Sequence, residues 1–208
     1  MKKSIISILA IFLICISFTA TAEDIDISNG YAGPFDDVKW DATYADLKEM
    51  GMEASQGSNS NEIYFSKPGI SISSYGEMNY MPTYDFIDGK LTSIEALCPV
   101  GVNNNYDCFV QAMNALIKTY GGEFEISYIW SDEASKINYL DASDAEMNKA
   151  VAAEAVSCIA TMNTQVSTIS VTVEGIHDDF FNCGVFISIT RNDPIIQDST
   201  LPLGLIVE

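Results

Sequence analysis

Hydrophobic and polar residues alternate along several short stretches of the chain, a pattern typical of half-buried β-strands. In the first half, Ile70 and Ile72 alternate with serines, and Asp88-Gly89 separates two apolar runs. An Asp-Gly pair in that position favours a two-residue hairpin turn. We therefore predict four antiparallel strands here and three or four more downstream: Glu62–Ser66, Gly69–Tyr75, Thr83–Ile87, Lys90–Leu97, Phe124–Trp130, a weaker Lys136–Leu140, Val166–Glu174 and Cys183–Thr190.

Three other segments repeat their apolar residues at helical spacing. Thr43 and Asp46 form a capping box at the start of a short helix that ends at Gly51. A second helix is predicted from about Asp107 to Tyr120. The third begins at Ser143, where Glu146 completes a capping box, and its predicted buried stripe is Met147, Val151, Ala155, Cys158, Ile159 and Met162.

These elements predict an α+β fold in which about three helices pack on a mostly antiparallel sheet. The first helix and the four strands after it, residues 41–98, resemble the unit of small secreted inhibitor domains of the β-lactamase-inhibitor type. The residues behind that resemblance are the capped helix and the hairpin Phe86-Ile87-Asp88-Gly89-Lys90-Leu91. The resemblance concerns shape and covers less than half of the chain.

The first 22 residues have the three parts of a secretory signal peptide. Lys2 and Lys3 precede an apolar run from Ser4 to Phe18, and Ala20-Thr21-Ala22 has the small residues that a signal peptidase recognises. A membrane anchor is the first alternative, although the run is shorter than the ~20 residues of a spanning helix. A lipoprotein modified at Cys15 is the second. We expect export to the periplasm, with secretion as the alternative, and no membrane insertion after cleavage.

Residues 23–208 are expected to form one domain, with the halves 23–106 and 107–208 as the alternative division. Without Lys2 and Lys3, eight basic residues remain against 29 acidic ones, so the mature net charge is −21. Nucleic acid and anionic lipid would be repelled, whereas a basic protein would be attracted. The alternative explanation is that the negative charge only keeps the protein soluble. The oligomeric state is not predicted.

Four cysteines remain after cleavage: Cys98, Cys108, Cys158 and Cys183. An even number in an oxidising compartment predicts two disulfides, for which three connectivities exist. We predict local pairing, Cys98 with Cys108 and Cys158 with Cys183. A zinc site made of the four thiolates is the competing interpretation, but the chain has no C-x-x-C pair. No metal or cofactor is expected.

The sequence contains no catalytic motif that selects a reaction. His177 is the single histidine, and no G-x-S-x-G segment is present. Asp24–Gly30 resembles the opening of a calcium loop, but its glycine is one position late and Phe35 stands where the chelating glutamate belongs. With 29 acidic residues, a glycosidase-like carboxylate pair would arise by chance. We therefore predict that the protein is not an enzyme.

Aromatic and acidic residues supply the candidate partner-binding sites, because tyrosine, tryptophan and methionine are enriched at interfaces. The tyrosines of the 75–84 segment fit an interface and a core equally well. We predict a non-enzymatic envelope protein, of inhibitor or immunity type, that neutralises a basic enzyme or toxin. An envelope assembly factor and an unrecognised hydrolase that uses His177 are the alternatives. The candidate binding residues are Asp36, Asp37, Tyr75, Tyr80, Tyr84, Asp178 and Asp179.

Overall fold

The computed structural model describes residues 30–57, 59, 61–69, 72–139, 141–175 and 183–192. Within these residues the chain forms four helices and nine strands, in agreement with the predicted α+β class. In chain order they are α1 (Tyr44–Glu49), β1 (Glu53–Gln56), β2 (Glu62–Ser66), β3 (Ser73–Tyr75), β4 (Met78–Ile87), β5 (Lys90–Val100), α2 (Asn105–Tyr120), β6 (Glu125–Trp130), α3 (Glu133–Tyr139), α4 (Asp144–Ala152), β7 (Val156–Asn163), β8 (Ser167–Gly175) and β9 (Cys183–Arg191).

All nine strands belong to one antiparallel sheet. Its order is β1-β2-β4-β5-β9-β8-β7-β6, and β3 pairs with the first residues of β4. The last strand, β9, lies in the middle of the sheet, between β5 from the first half of the chain and β8 from the second. This pairing makes the sheet continuous across both halves.

One face of the sheet carries the core. Alternate residues of β7, β8 and β9 are buried on this face, where α2 and α4 pack. The ring of Tyr44 in α1 packs on Phe65 and Phe86, and Phe35 packs on Tyr80, so α1 and the segment before it cover β2, β4 and β5 on the same side. The side chains that alternate with the buried ones lie on the opposite face of the sheet, away from α1, α2 and α4.

Local sequence signals set the ends of several elements as predicted. Thr43 Oγ accepts a hydrogen bond from Asp46 N (3.3 Å), and Thr43 N donates one to Asp46 Oδ2 (2.7 Å). The α4 capping box of Ser143 and Glu146 is also present. Asp88 and Gly89 have φ values of 51° and 78°, the left-handed pair that a type I′ hairpin needs. These three predictions are confirmed.

The predicted continuation of the third helix to Met162 is wrong. The helix ends at Ala152, Glu154 adopts a left-handed φ of 56°, and Val156–Asn163 form strand β7. Val156, Cys158, Ala160 and Met162 are buried in β7, and the residues that alternate with them point to the other face. The same apolar residues satisfy both a helical and a two-residue period, and pairing with β6 and β8 selects the strand.

Three other segments differ from the prediction. The weak strand at 136–140 is wrong, because helix α3 covers Glu133–Tyr139. Residues 53–56, for which no strand is predicted from the sequence, form edge strand β1. Of the strand predicted at Gly69–Tyr75, the described residues 69 and 72–75 form a strand at Ser73–Tyr75, and the strand predicted from Thr83 begins earlier, at Met78. Asp132 Oδ1 accepts a hydrogen bond from Ser135 N (2.6 Å) and so caps α3 at a position that the sequence interpretation missed.

The predicted disulfides are absent, since all four cysteines carry free thiols in the structure. The pairing of Cys158 with Cys183 is wrong for a topological reason. Cys158 is opposite Val173 of β8, and Val173 is opposite Val185 of β9, so a whole strand separates the two cysteines. Two strand spacings amount to about 9–10 Å, more than the ~7 Å that a disulfide spans between Cα atoms.

The predicted signal peptide, residues 1–22, lies outside the described residues, as do His177, Asp178 and Asp179. Among the residues that are described, none of the helices has the length and apolar character needed to cross a bilayer.

Candidate functional site

The three tyrosines predicted to line an exposed binding surface belong to the core. Tyr80 and Tyr84 have no exposed surface, and Tyr75 is 7% exposed. Burial raises the pKa of Tyr75 to about 12 and raises those of Tyr80 and Tyr84 further. The prediction that these tyrosines contact a partner protein is therefore wrong, because a partner cannot reach their rings without opening the core.

The acidic pair Asp36-Asp37 has a structural role at the edge of that core. Both residues adopt left-handed φ values of 55°. Asp36 forms a salt bridge with Lys67, and Tyr84 Oη lies 3.0 Å from Asp36 Oδ2 and 3.1 Å from the Phe35 carbonyl oxygen. Only Asp37 is exposed to solvent. The pair therefore holds the turn after Phe35 in place and offers one exposed carboxylate.

A different surface combines accessibility with chemistry. We call the face of the sheet opposite α1, α2 and α4 the open face. Strand register aligns its side chains in rows that cross the sheet. One row consists of four hydroxyl side chains and two carboxylates: Thr83, Glu95, Ser188, Ser170, Thr161 and Glu125. The next row is largely apolar: Met81, Leu97, Phe186, Thr172, Ile159 and Ser127.

A third row contains a buried carboxylate. Asp85 of β4 lies opposite Tyr64 of β2 and Ser93 of β5. A β-bulge follows it, because Asp85 pairs with Ser93 whereas Phe86 pairs with Leu91. Thr92 is the extra residue, and its hydroxyl donates to the Asp85 carbonyl oxygen at 3.0 Å. The bulge orients Asp85 within the sheet surface.

The Asp85 carboxylate is only partly satisfied. Its Oδ2 accepts a hydrogen bond from Ser93 Oγ at 2.9 Å, whereas its buried Oδ1 has no hydrogen-bond partner. The pKa of Asp85 is raised to about 7, chiefly by burial and also by the charges of Glu95 and Glu62, while the Ser93 hydrogen bond lowers it. The pKa of Tyr64 is also raised, chiefly by burial and then by the charges of Glu62, Asp85 and Glu95. Negative charge is therefore concentrated around Asp85.

A shallow depression lies beside this cluster on the open face. Its volume is about 230 Å³, and the half-buried side chains of Met81, Leu97 and Phe186 form its apolar part. Thr83, Glu95 and Ser188 supply the polar part. The exposed Glu95 belongs to both features, since it lines the depression and raises the pKa of Asp85.

This arrangement places apolar area and an exposed carboxylate side by side on one accessible surface. In the part of the chain that the structure describes, no three histidine, cysteine, aspartate or glutamate side chains are grouped to hold a metal ion. A cationic, partly apolar group would complement the apolar depression and the exposed Glu95 carboxylate that lines it. Sequence analysis missed the site, because its residues come from separate strands. The alternation of Thr83, Asp85, Ser93 and Glu95 with buried residues was the available signal.

The comparisons with known proteins add no assignment to this geometry. No protein-family model, curated protein or solved structure matches the chain.

Proposed function

We propose that this chain is a non-enzymatic binding protein of the bacterial envelope, of inhibitor or immunity type, that neutralises a basic enzyme or toxin. The observation that carries the proposal is the open face, where the exposed Glu95 lines an apolar depression and also acts, with Glu62, on the charge of Asp85. The mature charge of −21 would speed association with a basic partner. Export follows from the signal peptide of residues 1–22, with the periplasm as the compartment and secretion as the alternative.

The binding energy would come from the apolar side chains, and the partner's orientation from the carboxylates. Met81, Leu97 and Phe186 offer aromatic and aliphatic area that a partner side chain can cover. Glu95, at the border of the depression, would pair with a lysine or arginine next to that side chain. Opposite charges at an interface chiefly change association rate and selectivity, so binding should weaken as salt rises.

The test uses the mature chain, residues 23–208, as bait for basic proteins of the envelope of the producing cell, followed by affinity measurement with the purified partner. We expect Glu95→Lys and Phe186→Ala each to weaken binding about tenfold or more. Glu123→Lys and Ile117→Ala are the matched controls, because both residues are exposed and neither lines the depression. The controls should change affinity less than about twofold.

Two results would overturn the proposal. One is the absence of any basic partner at low salt. The other is an affinity that Glu95→Lys and Phe186→Ala leave unchanged in folded protein. A deletion strain with a leaky envelope and normal toxin sensitivity would favour an assembly factor, and a hydrolytic activity lost in His177→Ala would favour an enzyme.

Export also has a consequence for the thiols, and here we propose a single disulfide between Cys98 and Cys108. The pKa of Cys98 is raised to about 11, chiefly by burial, and Cys108 is close enough for its charge to contribute to that rise. Mature protein from the envelope would then show two alkylatable thiols when unfolded without reductant and four after reduction. Four reactive thiols without reductant would refute this disulfide.

A further inference from the structure

Strand β6 ends the sheet with an unusually apolar edge. Among the described strands its one neighbour is β7, and it comes last in the strand order. Ile126, Tyr128 and Ile129 are 43%, 42% and 58% exposed, and Ile137 of the adjoining α3 is 74% exposed. The described residues include nine exposed large hydrophobic side chains, and four of them lie in this one short segment.

The opposite edge of the sheet has another character. Strand β1 is short and polar, with the sequence Glu-Ala-Ser-Gln at 53–56, as is usual for an edge that must not pair with other chains. Strand β6 has six residues, contains neither lysine nor proline, and presents isoleucine on both faces of the sheet. An edge of this kind is a template for a further strand.

Acidic side chains stand at both ends of the apolar edge. Glu125 begins β6, and Asp132 and Glu133 follow its end. The hydrogen bond from Ser135 N and the one from its side chain lower the pKa of Asp132, so this carboxylate stays ionised. Lys136, one turn further along α3, is the basic residue nearest in sequence. The net charge of these flanking residues is negative.

We propose that the β6 edge binds an extended segment of another protein by strand addition, and that this segment has alternating apolar residues between basic ends. Backbone hydrogen bonds to β6 would bind any extended segment, and the side chains of Ile126, Tyr128 and Ile129 would favour a segment with apolar residues opposite them. Glu125 at one end and Asp132 and Glu133 at the other would pair with lysine or arginine. This surface is separate from the depression on the open face and does not depend on the proposed function.

A second copy of the chain fits the edge less well than a basic segment. A two-fold pairing centred on Tyr128, with the helices of both copies on one side, would place Ile126 opposite Trp130 and Glu125 opposite Ser131. Glu125 would then lie beside Asp132 of the other copy, and like charges in such positions are destabilising. The mature charge of −21 on each copy adds long-range repulsion.

The probe is a fluorescein-labelled heptapeptide in which three valines alternate with two threonines between terminal lysines. We expect saturable binding to mature protein at low salt, with a Kd below about 1 mM, and slower hydrogen exchange of the β6 amides. Ile129→Lys should weaken binding about tenfold or more, because it puts a like charge and a protective residue on the edge. Ile72→Lys is the matched control, since Ile72 is 57% exposed and lies outside the β6 edge.

Two further peptides test the stated chemistry. Methylation of all five internal backbone nitrogens should abolish binding, because those N–H groups can then no longer donate, and replacement of the terminal lysines by glutamates should weaken it. Equal binding of the methylated peptide, equal loss in both isoleucine variants, or no binding of any peptide would overturn the proposal. A dimer without peptide that Ile129→Lys dissociates would assign the edge to a second copy and also overturn it.

Discussion

Ser93 Oγ donates a hydrogen bond of 2.9 Å to Asp85 Oδ2 across the β4–β5 pair, while Asp85 Oδ1 is buried and has no partner. One hydrogen bond does not compensate the loss of water around an ionised carboxylate, so the neutral form is favoured. Asp85 is 9% exposed, which leaves little solvent to screen the charge. The pair is therefore a place where the folded protein responds to pH.

Asp85→Asn should change how stability depends on pH. The carboxyl has a pKa near its ordinary 3.8 when unfolded and about 7 when folded, so the folded state holds the proton more tightly. The resulting stabilisation is full below about pH 4 and is lost as pH rises through 7. We expect the asparagine variant to match the wild type near pH 4 and to exceed it at pH 8 by at least about 2 kcal/mol, or about 4–8 °C in Tm.

Thermal unfolding of both proteins from pH 4 to 9 checks this expectation. Glu123→Gln removes a negative charge from an exposed position and serves as the control. Parallel pH profiles for the wild type and Asp85→Asn would contradict the prediction.

Asn148 of α4 ties the start of α2 to its neighbour. Its Oδ1 accepts from Tyr106 N at 2.7 Å, and its Nδ2 donates to Asp107 Oδ2 at 2.9 Å. Asn104, the residue before α2, makes no side-chain cap bond, so Asn148 provides the cap from another helix. Asn148→Ala should lower the free energy of unfolding by about 1–3 kcal/mol, since it leaves backbone N–H and side-chain groups unsatisfied.

Chemical denaturation of Asn148→Ala measures that loss. Asn114→Ala on α2 is the control, because its side chain is exposed. Equal stability of the two variants would show that the α2–α4 bonds contribute nothing.

Tyr84→Phe tests the assignment of this ring to the core. The hydroxyl lies 3.1 Å from the Phe35 carbonyl oxygen and 3.0 Å from Asp36 Oδ2, so its removal should cost about 1–2 kcal/mol of stability. Partner affinity should not change, because the side chain has no exposed surface. Tyr44→Phe, at the half-buried ring on Phe65, is the comparison. If Tyr84→Phe weakened partner binding and left stability unchanged, Tyr84 would instead be a partner-binding residue.

Cys158 and Cys183 should resist alkylation in the folded protein. Both have no exposed surface, and burial raises the pKa of Cys158 to about 12, so the reactive thiolate is scarce. We expect both to react only through unfolding, at a rate that rises with denaturant. In reduced protein the half-buried Cys108 should react first. Rapid labelling of Cys158 in native buffer would contradict its position in β7.

The sequence predicted elements whose signals are local and missed relationships that depend on distant pairing. The hairpin at Asp88-Gly89 and the caps at Thr43 and Ser143 are set by neighbouring residues, and they were predicted correctly. The region around Cys158 fits both a helical and a strand period, so only its partners β6 and β8 decide it.

The candidate site was beyond prediction for the same reason. The environment of Asp85 depends on Tyr64 and Ser93, which come from strands on either side of it, and on the unpaired Oδ1. The depression exists because Phe186 of β9 lies opposite Leu97 of β5. Neither pairing can be predicted from the neighbouring residues in the sequence. The burial of Tyr80, in contrast, could have been inferred from the apolar residues around it.

The central position of β9 has a consequence for when the chain can fold. Strands β5 and β8 pair with β4 and β7 but lack their second neighbour until β9 has been synthesised, so the two halves of the sheet cannot join before residues 183–191 are available. Contacts between residues so far apart in sequence also form slowly, on a scale of milliseconds to seconds for sheet-rich domains. The sheet would thus remain in two incomplete parts during most of synthesis, and the insertion of β9 between β5 and β8 would be a late step of folding.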